Sequence, residues 1–146
     1  MLPKIIRLIT FIALAYTFLF LCSSCCTKKK CTFEAEDINE IQMINFAATD
    51  LDSIIVESFL NAIKEDSIFT KAISNPAGES RVTMPSRLNK QRNYRVTILS
   101  SGKIFIVSEF LTKKGSCNCN GDIEILDSYK VNGQIQKNLS LKITNP

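Results

Sequence analysis

Hydrophobic and polar residues alternate with a period of two through much of the C-terminal half, which predicts β-strands. Tyr94–Ile98 alternates in this way and, across a Ser-Gly turn, leads into the β-branched and aromatic run Ile104–Val107. Ile123–Val131 leads to Asn132-Gly133, the strongest short hairpin signal, and Leu139–Ile143 alternates on the return. The pattern therefore predicts two β-hairpins.

The N-terminal half carries a less regular pattern. Ile41–Phe46 fits a strand, and Val82–Met84 before Pro85 fits a short edge strand. Between them, residues 51–63 match a helical face, but the β-branched run Ile54–Val56 favours a strand through Phe59. We predict a strand there.

Six or seven short strands at this spacing predict an all-β fold, a small antiparallel β-sandwich that forms a single β-rich domain over residues 38–146. Large aromatic side chains within predicted strands are more often core residues than ligand contacts. The predicted core aromatics are Phe46, Phe59, Phe105, Phe110 and Tyr129.

The positive charge of the chain lies at one end. The 146 residues have a formal net charge of +4, and residues 1–30 hold five basic residues and no acidic one. From Cys31 onward there are 13 basic and 14 acidic residues. A nucleic-acid-binding domain needs a basic face to neutralise phosphates. The near-neutral domain therefore excludes nucleic acid as a predicted partner.

The chain has no histidine, which excludes a Ser-His-Asp triad, a histidine general base and every histidine-containing zinc site. Asp50-Leu51-Asp52 is the nearest approach to a metal motif, but an acidic loop between strands explains it equally well. Asp122 and Glu124 alternate with isoleucines, which predicts that they face solvent. We therefore predict no catalytic residue, no metal and no cofactor, and a protein that is not an enzyme.

The first 26 residues have the three-part layout of a secretory signal. Lys4 and Arg7 precede an apolar run of 14 residues, Leu8–Leu21, and small residues and cysteines follow. This run is shorter than the roughly 18 to 20 residues that span a bilayer as a helix. Cleavage of the segment is the favoured interpretation.

The sequence Leu21-Cys22-Ser23-Ser24-Cys25 resembles the lipobox of a bacterial lipoprotein precursor, although Cys22 stands where leucine is commoner. With its Phe- and Leu-rich signal, the chain is similar to small uncharacterised lipoproteins of Bacteroidota. The resemblance implies a signal peptide over residues 1–24, lipidation of Cys25, and a charged tether over residues 25–37. Cys26 is the other candidate for lipidation. Two or three acyl chains anchor a protein stably.

The alternative is an uncleaved single-pass anchor that continues through Cys26 and is flanked by Lys28–Lys30, with the domain in the cytoplasm. Surface-exported lipoproteins of the group that the chain resembles typically carry acidic residues directly after the lipidated cysteine. Lysines stand there in this chain. We therefore expect a membrane-anchored lipoprotein of the cell envelope that faces the periplasm.

Four cysteines remain after processing: Cys26, Cys31, Cys117 and Cys119. They are candidates for disulfides in an oxidising compartment, and three pairings are open. A redox or soft-metal site at Cys117 and Cys119 would lack a second ligand pair.

These observations favour a lipid-anchored envelope protein whose β domain is a non-enzymatic interaction or scaffold module. Its membrane partner is lipid, through the acylated cysteine, and its protein or envelope partner is undetermined. One alternative is a module that binds a glycan or a small molecule, and another is an enzyme that uses carboxylates alone. A concave face lined by exposed aromatics would indicate the ligand-binding module, whereas clustered buried acids would indicate the enzyme.

Overall fold

A computed structural model describes residues 34–74, 79–117 and 121–146. The chain divides into two compact units, and the fold set out below is that of the unit made of Thr32–Gly115 and Ile123–Pro146. The described elements are two short 3-10 helices and ten strands: η1 (Ala35–Asp37), β1 (Glu40–Ile44), η2 (Ala48–Leu51), β2 (Ile54–Leu60), β3 (Ile63–Thr70), β4 (Ile73–Ser74), β5 (Ser80–Thr83), β6 (Arg92–Ile98), β7 (Lys103–Cys117), β8 (Gly121–Val131), β9 (Gln134–Gln136) and β10 (Leu141–Thr144).

The strands form two sheets, as the predicted all-β sandwich requires. The four-stranded sheet has the order β10-β1-β5-β4, and the six-stranded sheet has the order β3-β2-β6-β7-β8-β9. Strands β1 and β10 pair in parallel, whereas β2 pairs antiparallel with both β3 and β6. The predicted fold class is confirmed.

Both sheets contribute to one hydrophobic core, because alternate residues of each strand point inward. On β2, Ile54 and Val56 have no exposed surface, and Ile55 between them points to the opposite face. The buried core residues in strands are Ile41, Met43, Ile54, Val56, Val82, Tyr94, Val96, Ile98, Phe105, Val107, Phe110, Leu126, Tyr129, Leu141 and Ile143.

Four of the five predicted core aromatics pack on this core. Phe105, Phe110 and Tyr129 are buried, and the partly buried Phe46 meets Phe105 edge to face at a ring-centroid distance of 5.7 Å. The prediction for Phe59 is wrong. It follows Val56 at an odd spacing, so it lies on the outer face of the six-stranded sheet, where the guanidinium of Arg95 stands 4.7 Å from its ring centroid.

The first predicted hairpin is β6–β7, and the prediction of a strand within residues 51–63 is confirmed. The helical pattern of residues 51–63 reflects only their first residue, because the buried Leu51 ends the 3-10 helix η2. The β-branched run Ile54–Val56 then begins β2.

The second predicted hairpin is correct only in its turn. Asn132 and Gly133 both have positive φ, and β8 turns there into β9, which lasts three residues. Leu139–Ile143 is not the returning strand. The strand in this region, β10, pairs in parallel with β1 in the other sheet, with Ile41 opposite Leu141. The physical reason is burial, since Leu141 and Ile143 are at most 1% exposed in the core between the sheets.

Strand β5, predicted at an edge, lies between β1 and the two-residue strand β4. The sequence did not predict β3, the edge strand of the six-stranded sheet. It carries three consecutive charged residues, Lys64–Asp66, and most of its side chains are exposed. Charged side chains protect an edge strand from pairing with other chains, so they do not exclude a strand.

The hydroxyl of Tyr129 joins the two sheets on the side of β10. It accepts a hydrogen bond from the backbone N–H of Lys142 at 2.6 Å and lies 3.2 Å from the carbonyl oxygen of Ser140. Burial raises the pKa of Tyr129. The neutral hydroxyl thus forms hydrogen bonds with backbone groups at the edge of the four-stranded sheet.

The last residues of the predicted tether contact the domain. Glu34 forms an isolated β-bridge with Ile125 of β8, Ala35 is buried, and Asp37 pairs with Arg87 at 3.1 Å. The predicted signal peptide and the rest of the tether lie outside the described residues. Within the described ranges, no helix combines the length and the hydropathy that a membrane span requires.

Candidate interaction surface

The outer face of the six-stranded sheet carries a row of mostly apolar side chains across four strands. Phe69 of β3 stands opposite Ile55 of β2, which stands opposite Thr97 of β6, which stands opposite Ile104 of β7. Neighbouring strands lie about 4.8 Å apart, so the four positions span about 14 Å. We call Phe69, Ile55, Thr97 and Ile104 the outer row.

The outer row follows from the register of the core. Because Ile54 and Val56 point inward, Ile55 between them must point outward, and each neighbouring strand repeats this parity. Phe69 is 66% exposed and Ile104 is 53% exposed, while Ile55 and Thr97 are half-buried. Apolar side chains that are grouped on a surface mark interaction sites more often than scattered ones do.

A second row, one pleat further along the strands, combines charge with apolar surface. Ser67, Glu57, Arg95 and Ile106 occupy it in strand order, and we call them the charged row. The Glu57 carboxylate lies 2.8 Å from the ammonium of Lys64 and 3.6 Å from the Arg95 guanidinium. Two cations therefore share the Glu57 carboxylate on this part of the face.

The edge beside the outer row is protected against strand addition. The Asp66 carboxylate accepts a hydrogen bond from the backbone N–H of Ser67 at 2.8 Å, so this donor at the edge strand is already occupied. Recognition at this sheet is therefore favoured through side chains on its face rather than through backbone groups of β3.

A separate open cavity of about 550 Å³ lies beside the loop between β5 and β6. Four of its five charged lining residues, all but Glu36, form ion pairs. Arg87 contacts Asp37 at 3.1 Å, and Lys90 contacts Glu124 and holds the pKa of that carboxyl below its usual value. This arrangement neutralises most of the charge at the cavity.

The acidic motif lies in a connection between two strands. Asp50 and Asp52 flank the buried Leu51 at the end of η2, in the connection between β1 and β2. Asp122 and Glu124 are exposed, as predicted. Among the residues that the structure describes, no three acidic or cysteine side chains converge to form a metal site.

The sequence-predicted modification sites stay predictions. Cys25, Cys26, Cys31 and Cys119 lie outside the described residues, and the side chain of Cys117 does too. The structure therefore brings none of these predicted residues into a described site.

The sequence analysis missed the outer row. The sequence feature that indicates it is the presence of apolar residues at adjacent positions of one strand. Ile55 lies between two core residues, and Ile104 directly precedes the core residue Phe105. A strand with apolar residues at both odd and even positions is predicted to have two apolar faces. Only the strand order shows that Phe69 of β3 lies beside these residues.

No protein-family model matches the chain, and comparisons with curated proteins and with solved structures find no match either.

Proposed function

We propose that this chain is a lipid-anchored protein of the cell envelope, whose β-sandwich is a non-enzymatic domain that binds a protein partner through the outer row. The observation that carries the proposal is the mostly apolar outer row across four strands, at whose two ends Phe69 and Ile104 are each more than half exposed. Apolar surface removed from water on binding stabilises a complex by about 25 cal/mol per Å².

Two features support an interaction domain over an enzyme or a ligand-binding module. The carboxylates described by the structure are not gathered into a buried cluster, and their ion pairs are with lysine and arginine at the surface. Phe69 is the one aromatic side chain among the exposed large hydrophobic residues of the described part of the chain, so a sugar ring would find no group of exposed aromatic rings to stack on.

The lipid anchor rests on the lipobox-like sequence that ends at Cys25. Cys25→Ser removes the thiol that would carry the diacylglyceryl group. We expect the variant to lose the label when cells are grown with a radioactive fatty acid and to leave the membrane fraction. A label retained at full intensity would contradict the assignment of Cys25.

The interaction surface is tested by placing a charge in the outer row. Phe69→Glu should lower the recovery of a cross-linked protein partner from envelope fractions at least five-fold, because the buried carboxylate would have no partner. The matched control is Ile63→Glu. Ile63 lies on the same strand, outside the outer row, and is 71% exposed. Equal recovery for the two variants, or no stable protein partner with the unsubstituted chain, would contradict the proposal.

A further inference from the structure

The outer row and the point where the chain enters the domain lie toward opposite ends of strands β7 and β8. Glu34 bridges to Ile125, and Gly115 of β7 lies against the Ile125 side chain. At the other end, the backbone N–H of Asn132 donates to the carbonyl of Ile106 at 2.9 Å. Asn132, directly after β8, lies seven positions beyond Ile125, a length of about 23 Å along an extended strand. The outer row, at Ile104, lies a further pleat away.

From this placement we infer that the outer row lies toward the membrane-distal end of the domain and binds a short, extended, apolar segment of an envelope protein, in which one carboxylate pairs with Arg95. The inference rests on the proposed lipid anchor at Cys25. Nine residues lead from Cys25 to Glu34 and reach at most about 30 Å. The Glu34 end of the domain is therefore the end attached to the membrane, within about 30 Å of it, and the outer row lies toward the other end.

The size of the surface favours a short segment over a second copy of this chain. Two rows about 7 Å apart along the strands and about 14 Å across them offer on the order of 100 Å². A stable dimer buries about 800 Å² per partner. An extended chain advances about 3.3 Å per residue, so four or five residues cover the outer row.

Charge complementarity favours an acidic residue in that segment. Arg95 is 44% exposed at its side chain, and its contact with Glu57 at 3.6 Å is longer than a hydrogen bond. The guanidinium is held over the Phe59 ring, beside Ile106 and close to the outer row. Its planar donors are suited to a carboxylate, which they bind in a bidentate manner.

Orientation is tested with the lipidated full chain in vesicles of phosphatidylethanolamine and phosphatidylglycerol that carry a rhodamine headgroup. A donor dye is attached through an encoded azido residue at position 69 or, as the control, at position 113, which lies near the Glu34 end. We expect energy transfer to rhodamine to be at least two-fold weaker from position 69. Equal or stronger transfer from position 69 would overturn the inferred orientation.

Partner chemistry is tested in cells with a photo-crosslinking residue at position 69. We expect a protein adduct that Arg95→Glu reduces at least five-fold and Arg95→Lys reduces less, with both variants still showing a cooperative unfolding transition in urea. A lipid adduct, an adduct of twice the chain mass, an adduct indifferent to Arg95→Glu, or no adduct would overturn the inference. Fatty-acid labelling of the same samples separates the two proposals, because an unlabelled chain contradicts the lipid anchor itself.

Discussion

The β2–β3 turn holds an alanine in a backbone conformation that favours glycine. Asn61 and Ala62 have φ values of 49° and 67°, as a two-residue hairpin turn requires. Ala62→Gly should relieve the left-handed strain at the second position and stabilise the fold by about 0.5 to 1 kcal/mol. Urea unfolding would show a higher midpoint at an unchanged slope.

Gly133 provides the matched control in the β8–β9 turn. Its φ is 81°, and a Cβ atom there would meet no atom within 4 Å, so only conformational strain opposes a side chain. Gly133→Ala should therefore destabilise the domain by about 1 kcal/mol. If both substitutions move the urea midpoint in the same direction, the assigned turn conformations are incorrect.

The hydroxyl of Tyr129 makes a second contribution at the scale of single residues. Tyr129→Phe leaves the backbone N–H of Lys142 without its acceptor at 2.6 Å. An unsatisfied donor at a part-buried site costs about 1 to 3 kcal/mol, and we expect a loss of that size in urea unfolding.

This contribution should depend on pH in a defined direction. Burial raises the pKa of Tyr129 in the folded state above the value of about 10 for an unfolded chain. The folded state therefore retains the hydroxyl proton more strongly than the unfolded chain does. The contribution of the Tyr129 hydroxyl to the free energy of unfolding is complete below pH 10 and is lost as the pH rises further. The stability difference between the unsubstituted chain and Tyr129→Phe should narrow above pH 10. A difference that widens there would contradict the buried, neutral hydroxyl.

At the scale of elements, β10 is held by the core rather than by the hairpin that precedes it. Leu141 has no exposed surface, whereas Leu139, two residues earlier, is 46% exposed. Leu141→Ala should cost about 2 to 5 kcal/mol through lost burial and the cavity left behind. Leu139→Ala should change the free energy of unfolding by less than about 0.5 kcal/mol. Similar costs for the two substitutions would contradict the placement of β10 beside β1.

The pattern of neighbouring residues in the sequence predicted those elements whose formation depends on neighbouring residues. Alternation from Tyr94 to Ile98 located β6, and the pair Asn132-Gly133 located the turn after β8, because both signals reside in adjacent residues. The pairing of β10 with β1 joins residues 100 positions apart, as Ile41 with Leu141 shows. No short window of sequence contains that information.

The same distinction explains the candidate site. The parity of Ile54 and Val56 assigns Phe59 to the outer face, and we misassigned it because aromatic residues are usually placed in a core. Predicting the outer row requires the order of four strands. One of them, β3, was not predicted, because its charged residues Lys64–Asp66 break the apolar pattern of a strand. The absence of histidine, by contrast, limits the chemistry of the whole chain without any structure.

At the scale of the whole molecule, the charge distribution supports export and attachment better than nucleic-acid binding. The net charge of +4 arises in the first 30 residues, and the described domain pairs many of its lysines and arginines with carboxylates at its surface. Under the proposed function, cleavage before Cys25 removes Lys4 and Arg7, and Lys28–Lys30 remain beside the lipid.

The central claim is that this β-sandwich is held at a membrane by a lipidated Cys25. The most direct measurement is the intact mass, with fragmentation of the N-terminal peptide, of the protein purified from membranes. We predict a chain that begins at Cys25, lacks residues 1–24 and carries a diacylglyceryl group and an N-acyl chain on that cysteine. A chain that begins at Met1, or one that carries no lipid on Cys25, would contradict the account.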